Sequence, residues 1–235
     1  MFRTIRSLLV VLTFSVVASA STITYSTFTG AVDNVGDPVS ASATIVTNNG
    51  SITVTLNNLQ TSIFNAGQTL SDLFFTLSAA PTTALNTTTT PTGNLVTVAA
   101  GGVVTNVVNG TIDPWALTSA GAIIHIDSLA GSGPSETIIG PSPSVNVNNS
   151  ITGATHNPFF NGQAVFTFNV AGVTAGTTVT AATFSFGTDA GDNVCGVTGA
   201  ATSCTPSVPE PVTSGLVGTG LVSLFFLRRR FAGKA

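Results

Sequence analysis

Between Ser51 and Leu56 the chain alternates: Ile52, Val54 and Leu56 are apolar, and Ser51, Thr53 and Thr55 between them are polar. A period of two puts one set on each face of a β-strand, which no helix can do. The pattern returns at Leu73, Phe75 and Leu77. It returns again at Ala164, Phe166, Phe168 and Val170, set against Thr167 and Asn169. Over Thr178 to Phe186 the apolar parity shifts, from Val179 and Ala181 to Ala182, Phe184 and Phe186. That shift predicts a β-bulge near Ala181. Asn48-Asn49-Gly50 separates Ala43–Thr47 from Ser51–Asn57 and reads as a hairpin turn. Asn109-Gly110, Gly131-Ser132-Gly133-Pro134 and Pro141-Ser142-Pro143 mark further connections, and Pro81 to Gly93, rich in Thr, reads as a low-complexity loop. No helical pattern stands out between residues 21 and 207. The fold class expected is all-β, with a single antiparallel β-sandwich over residues 21–205.

Charge narrows the function of that body. The six basic residues are Arg3, Arg6, Arg228, Arg229, Arg230 and Lys234, so residues 21–207 contain no Lys or Arg. Eight of the nine acids fall in the same region: Asp33, Asp37, Asp72, Asp113, Asp127, Glu136, Asp189 and Asp192. A surface without cations cannot neutralise nucleic-acid phosphates or hold anionic lipid, and it cannot clamp a phosphorylated substrate. Nucleic acid is therefore excluded as a partner.

Both ends of the chain carry the missing positive charge. Arg3 and Arg6 precede an apolar run from Leu8 to Val17, and Ala18-Ser19-Ala20 follows. This reads as a secretory signal peptide over residues 1–20, cleaved between Ala20 and Ser21; an uncleaved N-terminal anchor is the alternative. At the other end Val208-Pro209-Glu210-Pro211 leads into an uncharged run, 212–227, which Arg228, Arg229 and Arg230 stop. The prolines hold an extended stalk, and the arginines mark the cytoplasmic side of a membrane segment. Sixteen helical residues reach about 24 Å, short of a hydrocarbon core of about 30 Å. A short span containing Gly215, Gly218 and Gly220 suits a disposable tail better than a lasting single-pass anchor.

The order Pro-Glu-Pro, apolar segment, arginine cluster at the extreme C-terminus resembles the PEP-CTERM sorting signal of Gram-negative bacteria. The likeness covers residues 206–235. It implies recognition at Val208, Pro209, Glu210 and Pro211 by an exosortase, a membrane-embedded cysteine transpeptidase. It also implies a transient inner-membrane span at 212–227, a stop at Arg228–Arg230, and transfer to the cell surface or an extracellular polysaccharide matrix. The run Gly153-Ala154-Thr155-His156-Asn157-Pro158-Phe159 is similar to a segment of one group of PEP-CTERM ectodomains. So is Val173 to Thr178, leading to Phe184–Thr188. This second likeness implies a shared β fold and no activity.

Few residues in the body invite chemistry. Cys195 and Cys204 enclose eight residues, two of them glycine, and in an oxidising compartment they are expected to form a disulfide. A loop of that size gives about 2–3 kcal/mol. His125 shares a strand face with Asp127, which offers two metal ligands or simply a solvent-facing histidine. His156, before Asn157-Pro158, is expected to fix a turn by hydrogen bonding. Trp115 reads either as a core residue or as a sugar platform. No Gly-x-Ser-x-Gly elbow is present, and no pair of carboxylates is marked out for glycoside chemistry. The expectation is a non-enzymatic protein with no resident organic cofactor. Asp33-Asn34-Val35-Gly36-Asp37 and Asp189-Ala190-Gly191-Asp192-Asn193 each place two carboxylates and an amide in a glycine-bearing loop. Hard oxygen donors of this kind suit Ca²⁺, so Asp33, Asp37, Asp189 and Asp192 are candidate ligands, although such loops are also ordinary β-connections. Two readings of the body follow: a surface or matrix component, or a carbohydrate-binding or adhesive module whose loops take up sugar with or without calcium.

Overall fold

A computed structural model describes residues 20–108, 110–130, 136–189, 191–199 and 203. The chain divides into two compact units, Met1–Thr202 and Ser203–Ala235, and of the second only Ser203 is described. The described residues are mostly strand: β1 (Ser21–Thr27), β2 (Ala41–Asn48), β3 (Ser51–Asn58), β4 (Leu70–Leu77), β5 (Asn86–Thr89), β6 (Leu95–Ala99) and β7 (Val103–Asn106). After these come β8 (Trp115–Ala120), β9 (Ile123–Asp127), β10 (Ile138–Ile139), β11 (Phe159–Asn161), β12 (Gln163–Asn169), β13 (Val179–Phe186) and β14 (Asn193–Val197). Among the described residues no helix is long and apolar enough to cross a membrane. The predicted span at 212–227 lies outside the described residues.

Alternation in sequence becomes alternation in burial. In β3 every second residue, starting at Ile52, is buried, and β2 answers with Ala41, Ala43, Ile45 and Thr47. The two form the predicted hairpin: Asn48 faces Ser51 across a two-residue turn, and Gly50 has φ 78°, a left-handed conformation that suits glycine. β12 lies antiparallel on the far side of β3, so one arm of the sheet runs β12-β3-β2-β1. The second arm runs β14-β13-β4 and then forks along β4. One branch continues through β9, β8 and β5, the other through β10, β11, β6 and β7. The predicted bulge is present: Val179 pairs with Leu77 and Ala181 with Thr76, which leaves Thr180 as the extra residue.

The inward side chains of both arms share one core. Ile52, Val54, Leu56, Ala164, Phe166 and Phe168 come from the first, and Leu73, Phe75, Leu117, Ile126 and Phe184 from the second. A smaller cluster of Ile63, Val96, Val98, Ile139, Ile151 and Phe159 lies at the β10-β11-β6 end.

Four expectations need correcting. The arms are not separate sheets, because Ser26 and Thr27 at the end of β1 pair with Val197 and Gly196 and join all fourteen strands into one hydrogen-bonded network. The sheet is not wholly antiparallel either, since β10 and β11 run parallel. Residues 140–158 connect them, a length sufficient for a crossover. Within the expected loop from Pro81 to Gly93, Asn86–Thr89 forms β5 and pairs with β8. Its first three residues are exposed, so no apolar alternation betrayed a strand that β-branched threonine favours. Among the described residues one α-helical turn also exists, α1 (Asn149–Thr152), whose N-terminus is capped by the Asn148 side chain accepting from the Ser150 N–H at 2.9 Å. Four residues are too few to show a helical period.

Candidate metal centres

Two clusters of acids form on this scaffold. The first joins the two loops singled out in the sequence. The antiparallel bridge between Val32 and Pro38 closes a tight turn. Inside it Asp33 Oδ1 accepts from the backbone N–H of Val35 at 3.1 Å and of Asp37 at 2.7 Å. The turn thus presents its next N–H, that of Asn34, outward to Asp192 Oδ1 at 2.9 Å. Asp33 is 5% exposed and Asp192 8%, and Asp33 Oδ2 is buried without a hydrogen-bond partner. Asn65 supplies the amide: its Nδ2 donates to Asp37 Oδ2 at 2.6 Å. Its Oδ1 and Asp33 Oδ2 lie 2.9 and 3.2 Å from the point a Cβ on Gly67 would occupy. Gly67 thus leaves a small cradle lined by two acceptor oxygens. Burial raises the Asp192 carboxyl above the usual range; the Asn34 N–H opposes this, and the charge of Asp33 adds to it. Asp189 stays exposed in its turn.

The second cluster was half legible. Strand register sets Asp72 on β4 opposite Asp127 on β9, and Phe74 opposite His125. The inward parity of Leu73, Phe75 and Leu77 turns Asp72 to the other face, the same face as His125 and Asp127. One carboxylate oxygen from each aspartate and one imidazole nitrogen lie within 4.8 Å of one another. His125 Nε2 approaches Asp72 Oδ1 to 2.7 Å, yet the oxygen lies off the direction of the N–H, and neither atom completes a hydrogen bond. Phe74 stacks on the imidazole with centroids 3.7 Å apart and planes at 11°, fixing the ring. Asp127 Oδ1 is held by the Leu129 N–H at 2.6 Å, which leaves its second oxygen uncommitted by that bond. Burial pushes the Asp72 carboxyl up, and neighbouring His125 works against it. Reading the sequence paired His125 with Asp127 but missed Asp72, because only strand pairing across about fifty residues of chain brings it there.

Elsewhere the structure assigns plainer roles. Trp115 is 1% exposed and packs on Phe166, so it belongs to the core and offers no platform. The turn after α1 is fixed by Asn157 rather than His156. The Asn157 amide donates to the carbonyls of Ile151, Gly153 and Val98, and its oxygen accepts from the Val98 N–H at 2.8 Å. His156 Nδ1 is buried without a partner. Asparagine brings two N–H donors beside its acceptor oxygen, whereas a neutral imidazole has one donor and one acceptor. Cys195 sits on β14, while Cys204, the sorting residues Val208–Pro211 and Arg228–Arg230 lie outside the described residues.

Compared with known families, curated proteins and solved structures, the chain gives no significant match. Chemistry at the two clusters therefore has to be argued from their donors. The first offers oxygen only, from carboxylates and an amide, as Ca²⁺ prefers. The second adds an imidazole nitrogen, which suits ions of the zinc class. Neither has a neighbouring Lys or Arg, because the body contains none.

Proposed function

We propose that this chain is an exported, non-enzymatic surface protein of a Gram-negative bacterium: a β-sandwich body carried to the cell surface or an extracellular polysaccharide matrix. The observation that carries the reading is the tail, Val208-Pro209-Glu210-Pro211 followed by an uncharged run and Arg228–Arg230, paired with a signal-peptide pattern ending at Ala20. The described fold is compatible with processing at the N-terminal end. The β1–β2 ladder starts at Ser21, which pairs with Thr47, so cleavage before Ser21 leaves every pairing among the described residues intact. Two arms sharing one core support the sandwich description, with β1 as the seam between them. In the tail an exosortase thiolate would attack a peptide carbonyl at or near Pro209-Glu210-Pro211 and form an acyl-enzyme. Glu210 is then part of a substrate. A Cys195–Cys204 disulfide would fasten the body just before this stalk.

Mass spectrometry of both termini, on protein recovered from its host, tests the reading. A chain beginning at Ser21 and ending within 208–211 supports export and tail removal. A chain still ending at Ala235 makes the tail a lasting anchor and removes the sorting proposal.

A second reading, a calcium-dependent carbohydrate-binding or adhesive module, is favoured by the meeting of the Asp33 and Asp192 loops around an unpartnered buried oxygen. Binding on a glycan array that chelation abolishes would select it. Binding that survives chelation would keep the binding module and remove the calcium from it; no binding and no Ca²⁺-dependent melting shift would leave the matrix reading.

A further inference from the structure

We propose that Asp72, His125 and Asp127 form a binding site for a divalent ion of the zinc class on the outer face of the β4–β9 strand pair. Asp72 is 5% exposed and stands directly across from Asp127. Two carboxylates this close, one of them buried, are relieved either by a proton on one of them or by a positive charge between them. No Lys or Arg occurs anywhere from residue 21 to residue 207, so no ordinary salt-bridge partner exists for them in the body. His125 is the one basic group facing the pair, and its contact with Asp72 is off-line. Asp72 Oδ1 and His125 Nε2 are both buried and both lack a hydrogen bond, although they lie 2.7 Å apart. An ion seated between them would open this contact to the spacing of metal ligands and give both atoms a partner.

Donor chemistry selects the ion. Two carboxylate oxygens and one imidazole nitrogen suit Zn²⁺ and its neighbours, whereas Ca²⁺ takes six to eight oxygens. Ligand atoms around a tetrahedral zinc lie about 3.3–3.5 Å apart, given bond lengths of about 2.0–2.2 Å. The three donor atoms lie within 4.8 Å of one another, so seating the ion takes side-chain rotation that opens the 2.7 Å Asp72–His125 contact and draws the wider separations in. Register in the β4–β9 ladder sets the backbone spacing, and Phe74 holds the imidazole plane. Three protein ligands leave a fourth position open, and the partly exposed face of His125 gives an entry path.

The test uses the full-length chain in detergent, stripped with a chelator and titrated with Zn²⁺ in a calorimeter. One equivalent is expected to bind, with excess Ca²⁺ unable to compete. His125→Ala and Asp127→Asn are each expected to weaken binding by more than the roughly 10–100-fold that losing an outer-shell partner costs. His156→Ala, a control elsewhere in the fold, should bind like the parent. X-ray absorption on the loaded parent should show one imidazole nitrogen with light oxygen neighbours. That spectrum decides the matter even if a variant fails to fold by circular dichroism. No zinc uptake by the stripped parent, uptake unchanged in a folded His125→Ala chain, or a spectrum without imidazole would each overturn the site.

Discussion

The backbone N–H of Asn34 donates to Asp192 Oδ1 at 2.9 Å, tying together two loops that lie 158 residues apart in the chain. The bond brings the Asp192 carboxylate to the Asp33 turn, whose Oδ2 is unpartnered and lies with the Asn65 amide oxygen at the Gly67 cradle. If these oxygens hold Ca²⁺, the ion binds the folded chain and not the unfolded one. At a concentration one hundred times the dissociation constant, stabilisation is then about 2.7 kcal/mol. The melting temperature is expected to rise with Ca²⁺ and fall on chelation. Asp33→Asn, which keeps the Oδ1 acceptor for Val35 and Asp37, should abolish the response. A calcium response unchanged in that variant would place the ion elsewhere.

Trp115 on β8 and Phe166 on β12 meet with ring centroids 5.0 Å apart, and they join the two arms across the core. Phe166 is fully buried, so Phe166→Ala is expected to cost about 3–5 kcal/mol and Phe166→Leu clearly less. Trp115→Phe should be milder than Trp115→Ala, because the indole N–H has no partner to lose. Urea unfolding of the four variants checks the order.

How much of this was readable in advance depended on whether a feature is local. Ile52, Val54 and Leu56 dictated their own strand and its buried face, and Gly50 its hairpin. The bulge at Thr180 was legible because a parity change is written into neighbouring residues. The seam between β1 and β14 was not, since Ser26 and Thr27 carry nothing that distinguishes pairing with Val197 and Gly196 from any other edge contact. The same limit applied to the acids. Asp33 and Asp37 announced themselves as a loop, but their meeting with Asp192, and that of Asp72 with Asp127, is a property of strand order alone.

Gly140 follows β10 and packs against the backbone of residue 60. A Cβ there would lie 1.8 Å from the Gln60 carbonyl oxygen, inside any contact distance, and the obstacle is backbone that cannot swing aside. Gly140→Ala is therefore expected to destabilise by several kcal/mol, through forced separation of β10 from the loop after β3. Gly121→Ala offers a contrast. Nothing lies within 4 Å of its Cβ position, and only its left-handed φ of 60° is strained, so the cost should stay near 1 kcal/mol. Equal losses for the two in urea titrations would contradict the packing account.

Glu136 gives the fold a pH dependence of definite sign. The residue is 3% exposed, and burial raises its carboxyl from 4.5 to about 7. The Asp113 N–H, which donates to Oε2 at 2.8 Å, pulls the other way, and the charge of Asp113 adds to the rise. Between 4.5 and 7 the folded chain holds a proton that the unfolded chain has released, so stability falls as pH rises through this window. The contribution is complete below about pH 4.5 and gone above about pH 7. Urea midpoints should accordingly be higher at pH 5 than at pH 8, the reverse of a body whose carboxylates are paired with cations. Glu136→Gln keeps the size and an acceptor for Asp113 but cannot ionise. Its midpoint should change less between the two pH values than that of the parent. Parallel pH profiles for parent and variant would mean that Glu136 ionises in the folded chain as it does in water.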